Sequence, residues 1–376
     1  MDNTTLALRL KKIRESLGIK LTEAAEKLGF SSYQILSNIE EGKREVKASE
    51  LGNFSKVYYC SINKLLGHEE PASETAFIWR NSPKERKDEI EKDILLHCEQ
   101  YQLIETLLKV KPKERFINVE IDDISTTYKV QKLASDISKL LELGRRPAFT
   151  LQKVLEQNYG IKVLYYSLTE GSAVSTISPH LGSVVVINED EAPWRQNFDL
   201  AHELFHLITW EAVVLNQKHT DEEYSDDIER KANTFASALL LPKEEVNKEI
   251  MERAEVSKVI SYSDVVDIAI EFGVSIQALV YRLFHLKFIA TFEEADKIAK
   301  DVDLLQLSIT KRDGERKKRE SEQFIALAIR CLRKGLISRG KFAEFVEIDD
   351  RNDIDDYITI RGFSEEEGGS IEIMAS

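Results

Sequence analysis

Apolar residues recur at three- and four-residue intervals through most of this chain. They crowd into short β-branched runs in one region only, a pattern that predicts many helices and one small sheet. In residues 4–67 the stripe Leu6, Leu8, Leu10, Ile13 and Leu17 ends at Gly18. Thr22 then stands as an N-cap before Glu23–Leu28, and Gly29-Phe30 supplies a turn. Ser31 or Ser32 caps a helix from Tyr33 to Glu41 that Gly42 terminates. With helices at Ala48–Val57 and Ile62–Leu66, this stretch holds five short helices. Residues 68–140 read as a polar, mostly helical connector. Beyond Pro147 a helix over Leu151–Asn158 stops at Gly160. Ile161–Tyr166, Ala173–Ile177 and Ser183–Ile187 follow as β-branched runs with turn signals at Gly171 and Gly182, which predicts a small antiparallel sheet. Two long helices come next, Phe198–Trp210 and about Asp226–Leu240, the second stopped by Pro242. The remainder is helical to about Phe345, and the composition of the acidic tail around Glu365–Gly369 predicts disorder. The expected fold class is mainly α with a small β-sheet (α+β), divided into 1–67, 68–140, 141–295 and 296–376.

At 376 residues the chain exceeds one ordinary domain. Its 42% hydrophobic and 31% charged residues fit a soluble globular protein. No run approaches the roughly 18 apolar residues of a membrane span, and Met1–Thr5 does not open a secretory leader. Cys60, Cys98 and Cys331 lie far apart without a CxxC pair, which argues against a disulfide framework or a thiolate metal cage and points to the cytoplasm. A net charge of −14 opposes phosphate binding by the chain as a whole. Residues 1–67, however, carry eleven Lys/Arg against eight Asp/Glu, a balance of +3 that leaves about −17 for the rest. The picture becomes a basic module on an acidic body.

Chemistry concentrates at Phe198-Asp199-Leu200-Ala201-His202-Glu203-Leu204-Phe205-His206, an HExxH motif on a helical pattern. Phe198, Ala201, Phe205 and Ile208 mark one face, and His202 and His206 project one turn apart from its neighbour. Two imidazoles so placed can bind tetrahedral Zn²⁺ at about 2.0–2.1 Å. Glu203 is the candidate general base for a water at the open position. Thr209-Trp210-Glu211 exclude the later histidine of the longer metzincin pattern. The third ligand is expected to be Glu229, twenty-three residues after His206 on the next helix, with Asp226, Asp227 and His219 as rivals. Asn233 shares a face with Glu229 and could steady a ligand imidazole. His180 and His219 are candidates for oxyanion stabilisation.

The run from Val184–Asn188 through Arg195–Glu203 resembles the ImmA/IrrE-type metallopeptidases, as does Glu229–Ala236 leading to Leu239-Leu240-Leu241-Pro242. The resemblance covers about residues 140–290. It implies a minimal gluzincin-like domain that cleaves a repressor protein and so releases stress-response or mobile-element genes. The family commonly has Gly before its second histidine, where this chain has Phe205; that bulk either narrows the cleft or rests on the core. The resemblance also implies that an extended peptide adds to a sheet edge beside the metal, and Ser183–Asn188 is the candidate edge.

Residues 4–67 resemble the Cro/repressor (XRE) helix-turn-helix family through Leu21–Ala25, Gly29-Phe30-Ser31 and Ile39–Arg44. Tyr33, Gln34, Ser37 and Asn38 point partly outward, and in a major-groove pose Gln34 and Asn38 could read base edges. Lys43 and Arg44 would meet phosphates, although Glu40, Glu41 and Glu45 dilute the basic face. A dimerisation or peptide-docking module is the alternative, and DNA-binding folds of this kind imply a homodimer. Val265–Leu283 also has helix-turn-helix spacing, but its dense apolar positions favour a buttress for the peptidase. The Lys311–Arg319 charge run reads as a solvated linker. Two functions stand: a DNA-targeted zinc endopeptidase acting on a repressor-like partner, or a transcriptional regulator whose peptidase domain is a sensor or scaffold.

Overall fold

The computed structural model describes residues 3–16, 19–58, 65–66, 77–80, 87–111, 113, 119–168, 171–178, 181–215, 222–257, 259–312, 319–348 and 353–361. In chain order the main elements are α1 (Asn3–Ser16), α2 (Leu21–Lys27), α3 (Tyr33–Glu40), α4 (Ala48–Val57), β1 (Ile78–Arg80), α5 (Lys87–Leu107), α6 (Thr127–Leu140) and α7 (Leu151–Tyr159). Strands β2 (Lys162–Tyr166), β3 (Ala173–Ser178) and β4 (Gly182–Asn188) follow, then α8 (Pro193–Ile208), α9 (Glu222–Leu240), α10 (Lys243–Ser257), α11 (Tyr262–Glu271) and α12 (Ile276–His285). The last are α13 (Phe292–Ala299), α14 (Val302–Lys311), α15 (Glu322–Arg333), α16 (Arg339–Phe345) and α17 (Ile354–Ile360). This is the mainly α, small-sheet architecture that the periodicity predicts. The chain divides into two compact units: Met1–Glu74 with Glu99–Lys111 and Phe324–Ser376, and Thr75–Cys98 with Pro112–Gln323. The stretch 68–140 is thus shared between both units.

In the first unit α2 and α3 are joined through Gly29, whose φ of +78° suits the left-handed turn. Ser32 caps α3, its hydroxyl accepting from the Gln34 backbone N–H. Leu10, Ala24, Leu36, Ile39 and Phe54 are buried together, and Leu103 of α5 packs against them. Glu40 is buried too, and Arg14 donates to both its oxygens at 2.7 and 2.8 Å. This acid, expected to dilute the basic face, is therefore spent inside the fold. The fifth expected helix, 62–66, lies mostly outside the described residues, as do the tail at 365–369 and Cys60.

In the second unit four strands form a sheet in the order β1-β3-β4-β2. β3 pairs antiparallel with both β1 and β4, and β4 pairs parallel with β2, Val163 standing opposite Val185. The sheet is mixed, against the antiparallel expectation: alternation marks a strand without choosing its partner's direction. Ser183–Asn188 is also an interior strand rather than the expected free edge, because β2 and β3 occupy both of its sides. The outer position beside β3 is taken by β1, from the supposed helical connector.

One core unites the sheet with the helices around it, from Val130 and Ile137 of α6 through Phe235 of α9 to Phe272 and Leu279 of the α11–α12 pair. The second helix-turn-helix spacing is thus a buttress. Arg312 and Arg319 correct the solvated-linker expectation at the ends of that charge run. Arg312 is 3% exposed, donates to the Val274 carbonyl at 2.6 Å and lies 4.3 Å over the Trp194 ring. Arg319 donates to Asn197 Oδ1 at 2.6 Å. Nearby, Ser321 Oγ donates at 2.9 Å to Glu156. Burial pushes the Glu156 carboxyl up to about 8, with the hydrogen bonds from Ser321 and Gln152 opposing it. Among the described residues no helix is long and apolar enough to cross a membrane.

The α11–α12 turn is tied to α8 where Asn197 Nδ2 donates to the Gly273 carbonyl at 2.7 Å. Gly273 has φ +63°, and a Cβ there would lie 3.0 Å from Asn197 Nδ2 and 3.1 Å from Ala148 Cβ and Phe149 Cζ. Gly273→Ala is expected to cost about 1–3 kcal/mol from backbone strain and crowding. Urea unfolding followed by near-UV circular dichroism measures this; an unchanged midpoint would contradict the account.

Candidate metal centre

α8 starts with Pro193 at its first turn, where a missing N–H costs nothing, and is buried along almost all its length. Such a helix can carry imidazoles only where another element supplies their partners. That element is α9. His206 Nε2 lies 3.2 Å from Glu229 Oε1, and His202 Nε2 lies 3.2 Å from Glu229 Oε2. The two Nε2 atoms are 3.1 Å apart. His202 is fully buried and His206 nearly so, whereas Glu229 is 37% exposed and forms the open side.

The donors fit a small divalent ion. A tetrahedron with bonds of about 2.0–2.1 Å has edges of about 3.3 Å, close to the 3.1 Å between the two Nε2 atoms and the 3.2 Å from each to one or the other Glu229 oxygen. Asn233 settles the tautomer: its Oδ1 lies 3.1 Å from His202 Nδ1, so that nitrogen carries the proton and Nε2 keeps its lone pair for the ion. Burial works to raise the Glu229 carboxyl; with both imidazoles protonated, as before an ion displaces the Nε2 protons, their hydrogen bonds and charge outweigh it and hold the group well below the usual carboxylate range. His202, His206 and Glu229 form the group, among the described residues, that could hold a metal.

Of the rivals, Asp226 and Asp227 do not converge on the imidazoles. Asp227 is drawn into ion pairs with Lys231 at 2.6 Å and Arg230 at 3.4 Å, and Asp226 is exposed. His180 and His219 lie outside the described residues. Glu203 is fully buried on α8 beside His202. Phe205 resolves its two alternatives in favour of the core: it is fully buried against Phe235, ring centroids 5.6 Å apart, and its bulk does not enter the cleft.

On α3, Tyr33, Gln34 and Asn38 are exposed and Ser37 is half-buried, its hydroxyl donating to Glu41 at 3.0 Å. The expected phosphate contacts are already engaged. Lys43 pairs with Glu41. Arg44 donates to Glu50 at 2.8 Å and lies 5.6 Å from the Phe30 centroid. Sequence reasoning missed a further feature, a cavity of about 630 Å³ between α8, α9 and α12. Its lining is spread over three helices and leaves no local pattern.

Comparison with known families agrees with this division. Residues 156–284 match the IrrE N-terminal-like domain, a peptidase family, and residues 10–65 match a helix-turn-helix family. The chain thus joins an XRE-type helix-turn-helix domain to an ImmA/IrrE-type peptidase domain. No curated protein matches it significantly. Among solved structures it is similar to a Mycobacterium tuberculosis transcriptional regulator, at 16% identity and TM-score 0.32, over 49% of this chain and 51% of that one. It is also similar to the apo form of the competence regulator ComR from Streptococcus vestibularis, at 13% identity and TM-score 0.17, over 97% and 100%. At such scores neither likeness fixes fold or function.

Asn233→Ala is expected to weaken metal affinity about 10–100-fold by freeing the His202 ring, and Glu229→Ala to weaken it further. Titration against a chromogenic chelator gives both values. Metal binding equal to wild type in Glu229→Ala would remove this residue from the ligand set.

Proposed function

We propose that the chain is a zinc-dependent endopeptidase that is targeted to DNA and regulates transcription by cutting a repressor-like partner protein. The observation that carries this reading is the meeting of two imidazole nitrogens and a carboxylate at 3.1–3.2 Å on a peptidase-family domain. His202, His206 and Glu229 would hold the ion, which supplies Lewis acidity to water and to the scissile carbonyl when bound. The remaining chemistry falls to the chain. Glu203, one residue from the first ligand, takes the proton of the attacking water and passes it to the leaving amine. Asn233 keeps the His202 ring in the ligating orientation throughout. With Phe205 turned into the core, the bulk at that position does not obstruct the reaction.

At the other end, the exposed side chains of Tyr33, Gln34 and Asn38 favour α3 as the helix that enters the major groove, Gln34 and Asn38 reading bases. Ser37 stands at its edge, and Lys43 and Arg44 supply backbone contacts through partners they must share with Glu41 and Glu50. Because Glu40 is neutralised by Arg14, the reading face is less acidic than the composition implies. A homodimer on double-stranded DNA is the assembly this fold implies. The helix-turn-helix match also favours a second reading, a transcriptional regulator whose metal site is a sensor or scaffold.

One substitution separates the two. Glu203→Gln is expected to keep about one zinc per chain while losing roughly 10²–10⁴-fold in the rate of partner cleavage. Zinc content and gel-resolved cleavage in cells measure this; an undiminished cellular effect in the variant identifies a binding protein. For DNA, Gln34→Ala and Asn38→Ala are each expected to cost about 1–3 kcal/mol on a selected duplex. Lys43→Ala is expected to weaken all duplexes alike and to lower the salt slope by about one. Fluorescence anisotropy across a salt series tests all three, and equal losses on selected and random DNA would remove the base-reading role.

A further inference from the structure

A cavity between α8, α9 and α12 adjoins the metal centre through Asn233. His206 faces Glu229 and His202 faces Asn233, so the two helices run in opposite directions. One turn further along the same stripes stand Phe198 and Asp199 on α8 and Ser237 on α9, with Trp194 a turn beyond on α8. These residues line the cavity of about 630 Å³, which α12 closes with Ala278, Tyr281 and His285. Asn233 belongs to both places: it holds the His202 ring and lines the cavity. Through the His202 ring, Asn233 Oδ1 stands about 7 Å from the point where the donors converge. Two residues of an extended peptide, at about 3.3 Å each, cover that distance.

The wall is shaped in advance. Trp194, Phe198 and Tyr281 give it three aromatic faces. Two of them are braced from behind: the Arg312 guanidinium lies 4.3 Å from the Trp194 ring, and Tyr281 stacks on Phe292 at 5.8 Å and 12°. The Tyr281 hydroxyl is fixed as well, donating to Asp296 at 2.8 Å. Of the cations at the wall, Arg195 is paired with Glu191 at 2.7 Å. Burial, with Arg282 and Lys287, holds His285 below its ordinary value and so uncharged at neutral pH. Ser237 Oγ itself is buried beneath the wall. Rigid aromatic walls with a few placed polar groups suit a bulky aromatic side chain.

We propose that this cavity is the specificity pocket of the metal cleft and takes a bulky aromatic side chain of an extended peptide, within two residues of the bond held at the metal. This rests on the peptidase reading above and narrows its substrate to chains offering such a residue beside the cut. The volume is sufficient for the side chain together with the backbone that carries it.

The test uses the full chain loaded with zinc and four probes: acetohydroxamate, and three peptide hydroxamates that differ only by a glycine, phenylalanine or lysine side chain next to the metal-binding group. Calorimetry gives affinities, with Trp194 fluorescence as a second signal. The phenylalanine compound is expected to bind about tenfold or more tightly than the glycine one. Ala278→Trp, which fills the pocket from α12, is expected to abolish that advantage while zinc content and acetohydroxamate affinity stay as in wild type. If that variant loses zinc, Ala278→Leu replaces it, with the advantage expected to fall about threefold. Equal binding of the phenylalanine and glycine compounds by wild type, preference for lysine, or an advantage that survives in the filled pocket overturns the proposal and leaves the peptidase reading intact. Failure of the chain to take up zinc, or of acetohydroxamate to bind the zinc-loaded chain, overturns the peptidase reading and the pocket with it.

Discussion

Two helices must be held so that an imidazole from each of two turns of α8 and one carboxylate of α9 meet within 3.2 Å, and the rest of the second unit serves that constraint. Imidazole and carboxylate are costly to bury apart and favourable together, so a small slide of α9 along α8 would expose the cost at once. The His202–Asn233 hydrogen bond fixes the register one turn away from Glu229. It sets the axial offset of the helices and the tautomer of the ring in one contact, which is why the opposite running directions of α8 and α9 matter chemically.

The packing around this pair has a clear division of labour. The sheet lies against α8, and α6 lies against α9 from the other side. The α11–α12 turn reaches α8 through the Gly273 carbonyl, and Arg312 and Arg319 reach its first turns through Trp194 and Asn197. All three ties fall on the N-terminal half of α8, ahead of the histidines. These ties hold α8 ahead of its histidines, and the partly exposed side of the donor set is supplied by Glu229 of α9.

The cluster of His202, His206 and Glu229 was legible because its geometry is local: four residues along one helix, and i, i+4 again for Glu229 and Asn233. Choosing Glu229 over Asp226 and Asp227 was possible for the same reason, since only Glu229 pairs with Asn233 at that spacing. The helix-turn-helix and the helical buttress were likewise carried by short-range periodicity. Strand order was not legible. β1 is three residues long, and the parallel pairing of β2 with β4 joins segments whose own sequences are silent about direction. The buried roles of Arg312, Arg319 and Glu40 were hidden for a related reason, since a charge run looks solvated until the fold supplies Trp194, Asn197 or Arg14 as a partner.

Phe205 shows how the site tolerates a change that the family resemblance made conspicuous. A glycine before the second histidine leaves space between the HExxH helix and its neighbour; here that space is filled by the Phe205–Phe235 contact. Interhelical distance follows the size of the side chains at the crossing, within about 8–10 Å. A larger residue at this point therefore acts as a spacer between α8 and α9, and its ring also meets the His206 ring edge-on at 5.9 Å. The donors still meet at 3.1–3.2 Å across that spacing. Core volume and donor geometry are therefore coupled at this residue, because the ring that packs on Phe235 also buttresses His206.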